Sequence, residues 1–179
     1  MTGAADVYGE ALYDLAKGEN LETRILEELS VLEESFGKEP EFLRLLSNPG
    51  ISKQERCGVV DAVLKGNAHP YVGNFLKLLT EKGYARQFVD CCKSYREQYN
   101  DDNGIVTVNA VSAVTLSQEQ KDKLSEKLRQ ITGKKIELLN RVDPEVLGGI
   151  RLDYDGKRVD GTVQNRLNSV RDLLKNTVL

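Results

Sequence analysis

The hydrophobic period changes once along this chain, and that change limits what it can fold into. Up to about residue 100, apolar side chains recur every three to four positions. Beyond Asn100-Asp101-Asp102-Asn103-Gly104 they begin to alternate. A period near 3.6 marks amphipathic helices and a period of two marks half-buried strands. The polar stretch between the two regimes is rich in turn formers. Charge breaks at the same place: residues 1–104 carry 12 Lys and Arg against 18 Asp and Glu, whereas residues 105–179 carry 13 against 10. The pattern predicts two domains, 1–104 and 105–179. The fold class is mainly α, an N-terminal six-helix bundle followed by a small α+β C-terminal domain.

Six stripes carry the helical half. Val7, Tyr8, Ala11, Leu12 and Leu15 form the first, which Gly18 can end. Leu21, Ile25, Leu29, Leu32 and Phe36 form the second, and Phe42, Leu45 and Leu46 a short third. Ser52-Lys53-Gln54-Glu55 reads as a capping box that opens the fourth, with Val59, Val60, Val63 and Leu64 behind it. Val72, Phe75, Leu76 and Leu79 make the fifth, and Tyr84, Phe88, Cys91, Cys92, Tyr95 and Tyr99 the sixth. Isolated short helices are marginal in water, so these stripes must be buried against one another. In the second half, Ile105–Val111, Ile136–Leu139 and Ile150–Tyr154 read as strands. A second capping box at Ser117-Gln118-Glu119-Gln120 opens a helix with Leu124, Leu128 and Ile131. Asp155-Gly156 signals a hairpin before Lys157-Arg158-Val159. A final helix carries Val163, Leu167, Val170, Leu173 and Leu174.

Reactive side chains are scarce. His69 is the one imidazole, it precedes Pro70, and no motif supplies the partner that would orient a catalytic histidine; it reads as a polar loop residue. Cys91 and Cys92 are adjacent on a helix and not in CxxC spacing, so they read as core; three cysteines suit a reducing compartment. Gly148-Gly149 lacks the framework of a phosphate loop and reads as a bulge or close backbone contact at a strand start. Glu27, Glu28, Glu33, Glu34, Glu39 and Glu41 read as a solvated helix face. Lys134, Lys135, Arg141, Arg151, Lys157, Arg158, Arg166 and Arg171 are interleaved with acids, which is a poor footprint for nucleic acid. The net charge of −3 argues the same way. No apolar run reaches the roughly 18 residues of a membrane span. Met1–Asp6 lacks the basic and apolar regions of a secretory signal, which predicts a chain that starts in a cytoplasm. No metal or cofactor site is expected.

The stretch Ile136–Asp155, with Val142-Asp143-Pro144, Val146-Leu147, Gly148-Gly149 and alternating Ile150 and Leu152, resembles the signature region of the delta subunit of F-type ATP synthases. In mitochondria that family is the oligomycin sensitivity-conferring protein. Asp153 and Asp155 depart from its pattern. The resemblance extends to Tyr8–Ala16, similar to a first-helix pattern of Tyr-Ala-x-Ala-Leu-aromatic, to Asn74–Gly83, and to Val159–Val163 with Arg166 and Leu167.

The resemblance implies a non-catalytic stator subunit that joins the catalytic head to the peripheral stalk and resists torque during ATP synthesis. It implies partners in the N-termini of the alpha subunits and in the b subunits of the stalk. Membrane contact, at the cytoplasmic face, would come only through the complex. By the same resemblance Tyr8, Ala11, Leu12, Leu15, Phe75, Leu78 and Leu79 line a groove for an alpha-subunit segment, and Gly148 and Gly149 serve the stalk-binding half. Ordinary core packing is the competing reading of each groove residue. The competing reading of the whole is a cytoplasmic regulatory or RNA-binding protein that uses the more basic second half.

Overall fold

The computed structural model describes residues 3–154 and 156–167 of the chain. Asp155, Arg171 and the later part of the last predicted helix, with Val170, Leu173 and Leu174, lie outside the described residues. The protein is mainly α with an α+β part. It divides into two compact units, Met1–Tyr99 and Asn100–Leu179.

The first unit is built from α1 (Ala4–Gly18), α2 (Glu22–Lys38), α3 (Pro40–Leu46), α4 (Lys53–Leu64), α5 (Pro70–Lys82), a single 3-10 turn (Ala85–Gln87) and α6 (Phe88–Asp102). The Ser52 capping box forms: Ser52 Oγ accepts from the Glu55 N–H at 3.2 Å, and the Ser52 N–H donates to Glu55 Oε2 at 3.1 Å. Ile25, Leu29, Leu46, Val60, Leu76, Leu79, Phe88 and Tyr95 are fully buried in one continuous core. Each large apolar side chain placed there contributes roughly 1.5–3 kcal/mol. Tyr95 meets Tyr13 edge to face at 5.3 Å, and its hydroxyl donates to the Glu22 carbonyl at 2.9 Å.

Buried Cys91 and Cys92 are core residues, as expected. Desolvation holds both thiols protonated, Cys91 pushed up to about 11 and Cys92 higher still. Two features of this unit had no local signature. Arg56 is buried and closes the end of α3, donating to the carbonyls of Leu46 at 2.7 Å and Ile51 at 3.1 Å. The acids read as a solvated face are partly engaged: Glu33 pairs with Arg96 at 2.8 Å, and Glu28 accepts the His69 backbone N–H at 2.5 Å.

α1 corrects the simplest reading of its sequence. The buried residues are Ala5, Gly9, Leu12, Tyr13 and Ala16. Of the predicted stripe only Leu12 is buried, while Val7 and Leu15 are exposed. The reason is how closely α1 can approach. A Cβ at Gly9 would lie 2.5 Å from the Cys91 carbonyl oxygen and 2.7 Å from Ser94 Cβ. Small Gly9 allows that approach to α6, so the face that carries it turns inward with Leu12 and Tyr13, and Val7 and Leu15 are left outside. Gly9→Ala is expected to destabilise the protein by up to about 2 kcal/mol. Overpacking costs about 1–3 kcal/mol, and the better helix propensity of Ala returns about 1. Urea unfolding of the variant checks this; a gain in stability would mean that α1 and α6 have room to spare.

The second unit is a four-stranded sheet in the order β2-β1-β3-β4, with β1 (Ile105–Ser112), β2 (Lys135–Val142), β3 (Ile150–Tyr154) and β4 (Lys157–Asp160). β1 and β2 run parallel, Ile105 opposite Lys135, joined through α7 (Gln118–Thr132). β3 is antiparallel to β1 and to β4. Val106, Val108, Ala110 and Leu152 on one face bury against Leu128 of α7. The Ser117 capping box forms, and Gly133 closes α7 in a left-handed conformation. Across the polar face, Asp153 accepts from Arg158 Nε at 2.6 Å and lies 3.4 Å from Arg151 Nε. The Arg158 hydrogen bond holds the Asp153 carboxyl below its ordinary range.

Candidate functional site

The outward face of α1 is the first candidate. At about 100° per residue, Val7, Tyr8, Ala11 and Leu15 fall on one side of the helix, opposite Gly9 and Ala16. Tyr8 is half-buried, Ala11 exposed, and Leu15 48% exposed. α5 lies alongside in the opposite direction, as two cross-helix ties show. At one end the Tyr8 and Tyr84 rings meet at 5.8 Å, Tyr84 following directly on α5. At the other the Tyr71 hydroxyl donates to Glu19 Oε1 at 2.5 Å, just past α1. That bond pushes the Tyr71 hydroxyl above its ordinary pKa. From Tyr8 to Glu19 the strip runs about 16 Å, at 1.5 Å per residue.

The seven residues named from the sequence separate into two layers along this strip. Leu12, Phe75 and Leu79 are buried in the core cluster, and Tyr8 packs against that cluster from the surface side. Ala11, Leu15 and Leu78 stand exposed above it. Val7 (55% exposed) and Tyr84 belong to the same surface. Tyr84, which the sequence pattern places in the sixth stripe, lies ahead of α6, separated from it by the 3-10 turn Ala85–Gln87, and is exposed. An exposed strip of large apolar side chains over an already filled core is built to receive another surface.

Gly148 and Gly149 form the second candidate. Gly149 has φ of 82°, and a Cβ there would lie 2.5 Å from the Gly161 carbonyl oxygen and 2.9 Å from Thr162 Cα. Two backbone bonds fix the approach: the Gly161 N–H to the Ile150 carbonyl, and the Val163 N–H to the Gly148 carbonyl, each 3.0 Å. Thr162, buried beneath, accepts the Asn165 N–H at 3.2 Å and so caps the helical turn that follows. Its hydrogen bonds keep the Asp160 carboxyl below the usual range. Leu147, Val163 and Leu167 are exposed around the glycine pair.

His69 lies outside the helix with extended dihedrals, as a polar loop residue, and it also caps α5: its Nδ1 accepts from the Tyr71 N–H at 3.3 Å. Among the described residues no three His, Cys, Asp or Glu side chains gather as metal ligands would. No helix among them is long and apolar enough to cross a membrane.

Two compact units, one carrying an apolar strip between antiparallel helices and the other a glycine-locked helix start, describe a docking protein. The chain belongs to the ATP synthase delta (OSCP) subunit family, whose model matches residues 4–174. It is 29% identical over 175 residues to the ATP synthase subunit delta of Clostridioides difficile strain 630, covering 97% of each chain. To the ATP synthase subunit delta of Lacticaseibacillus casei strain BL23 it is 30% identical over 168 residues, 93% of this chain and 92% of that one. Its fold is shared by a chain in the cryo-EM structure of the Toxoplasma gondii mitochondrial ATP synthase hexamer. The TM-score is 0.78 and the identity 18%, over 97% of this chain and 98% of that one. The RNA-binding alternative finds no support: the whole-chain match points elsewhere, and Arg151 and Arg158 are engaged with Asp153.

Proposed function

We propose that this chain is the stator subunit that holds the catalytic head of a proton-translocating F-type ATP synthase to its peripheral stalk, with no active site of its own. The first unit, residues 1–104 taken as a six-helix bundle, binds the N-terminal segments of the alpha subunits. The second, residues 105–179, binds the ends of the b subunits. The complex then sits at the cytoplasmic face of the membrane, and the chain touches that membrane only through its partners.

The observation that supports this reading is the divided packing of α1. The helix buries Leu12 and Tyr13 together with Ala5, Gly9 and Ala16, yet leaves Val7 and Leu15 exposed and Tyr8 only half-buried, a second apolar face that suits a partner. A strip about 16 Å long between two antiparallel helices suits an amphipathic helix of about three turns, read through anchors at i, i+3 or i+4, and i+7. Leu147, Val163 and Leu167 around the glycine lock offer the second unit a comparable surface. A part that resists torque needs apolar docking faces and stiff backbone junctions, and both are supplied.

Co-purification tests the reading. The tagged full-length chain, passed through a detergent extract of its source membranes, is expected to retain alpha, beta and b subunits together. Recovery of b without alpha and beta, or of neither, would contradict the adaptor role.

A further inference from the structure

The groove has a titratable fastening at one end. His69 caps α5 through Nδ1, which accepts the Tyr71 N–H, and its ring lies edge-on to the Tyr71 ring at 4.9 Å. Tyr71 in turn ties α5 to the end of α1 through Glu19. The His69 backbone N–H is held by Glu28 of α2, which also accepts from Arg24 Nε at 3.2 Å. The charged and titratable groups that these bonds bring to this end of the groove are Glu28 and Arg24 from α2, Glu19 from the end of α1, and Tyr71 on α5 itself, of which Tyr71 meets the imidazole directly.

We propose that His69 is a proton-operated latch on the α1–α5 groove, its cap closed when the imidazole is neutral and open when it is protonated. This rests on the groove being the alpha-segment site. Neutral imidazole has one acceptor nitrogen, and the imidazolium has none. Protonation therefore sets an N–H against the Tyr71 N–H and places a cation at the positive end of α5. The oxygens of Glu28, the acid nearest in this chain of bonds, already hold the His69 backbone N–H and Arg24. With the cap lost, the first turn of α5 is unfastened, the Tyr71 ring loses its edge contact, and the Tyr71–Glu19 tie at the groove's end loosens. Histidine is the side chain type that changes charge between about pH 5 and 8, which sets the range over which the cap is tested.

The test uses the full chain with two readouts between about pH 8 and 5.5. Nuclear magnetic resonance follows the Tyr71 amide proton, and calorimetry follows affinity for a peptide of the alpha-subunit N-terminus. In the unmutated protein the Tyr71 amide is expected to shift as its acceptor is lost, and affinity to fall about fivefold, the usual worth of a cap. His69→Asn keeps a good cap that does not titrate, so it is expected to bind as tightly at pH 8 and to lose both responses. His69→Ala is expected to bind about fivefold more weakly at pH 8. The latch is overturned by a Tyr71 amide that stays constant, by an affinity that holds while the amide titrates, or by a pH response that survives in His69→Asn. Absence of peptide binding at pH 8 in the unmutated protein would instead refute the groove, and the amide titration would still judge the cap.

Discussion

Replacing Gly149 by Ala is expected to destabilise the second unit by about 2–5 kcal/mol. Two costs combine. An L-residue held in the left-handed region costs roughly 1–2 kcal/mol, and φ at Gly149 is 82°. The added methyl must also move the Gly161 carbonyl, 2.5 Å from where it would stand, and overpacking of this kind costs about 1–3 kcal/mol. The carbonyl cannot turn aside cheaply, because the Gly161 N–H is fixed on Ile150 and the next residue, Thr162, caps the helix that follows. Gly133 supplies the control. Its φ is 68°, but no atom lies within 4 Å of a Cβ there, so Gly133→Ala carries the conformational cost alone. Guanidinium unfolding of both variants separates the two costs. Equal losses would show that the backbone of Gly161 and Thr162 does not press on Gly149.

Much of this fold is legible in the sequence. Capping boxes at Ser52 and Ser117 are signals within four residues, and both form with the partners the pattern assigns. The alternation of Ile150, Leu152 and Tyr154 places β3, and Gly156 marks the turn into β4. The phase of α1 could not be read the same way. A stripe shows which residues are apolar, but α1 has two apolar faces, one with Ala5, Gly9, Leu12, Tyr13 and Ala16 and one with Val7, Tyr8, Ala11 and Leu15. Which of them turns inward is settled by Cys91 and Ser94, eighty residues away. The Arg56 bonds that close α3 and the Glu33–Arg96 pair share this property. The two arginine contacts join groups distant in sequence, whereas the His69 cap is local and goes unread because histidine is not among the usual capping residues. The residues of the proposed groove come from family resemblance; in the structure Leu12, Phe75 and Leu79 are buried and Ala11, Leu15 and Leu78 are exposed.

That division directs the second large effect, which falls on binding. Tyr8 sits at the open end of the strip, half-buried, paired with Tyr84 and leaning on the core cluster without entering it. An aromatic anchor in such a position commonly carries more than 2 kcal/mol of an interface, more than thirtyfold in affinity. Tyr8→Asp puts a carboxylate where apolar surface is to be covered, and desolvating it adds to the loss. The fold loses mainly the Tyr8–Tyr84 contact, worth about 0.5–1.5 kcal/mol, so the variant is expected to remain folded. Leu12→Asp would not be informative, because it would break the core and the groove together.

Calorimetric titration of the full chain with a peptide of the alpha-subunit N-terminus, for the unmutated protein and for Tyr8→Asp, tests the docking role most directly. The expected result is saturable one-to-one binding that weakens at least thirtyfold in Tyr8→Asp, while circular dichroism shows the helical content and cooperative melting of both proteins to be alike. Unchanged affinity in a folded Tyr8→Asp variant would contradict the account, because the α1–α5 strip would then not be the surface that holds the catalytic head.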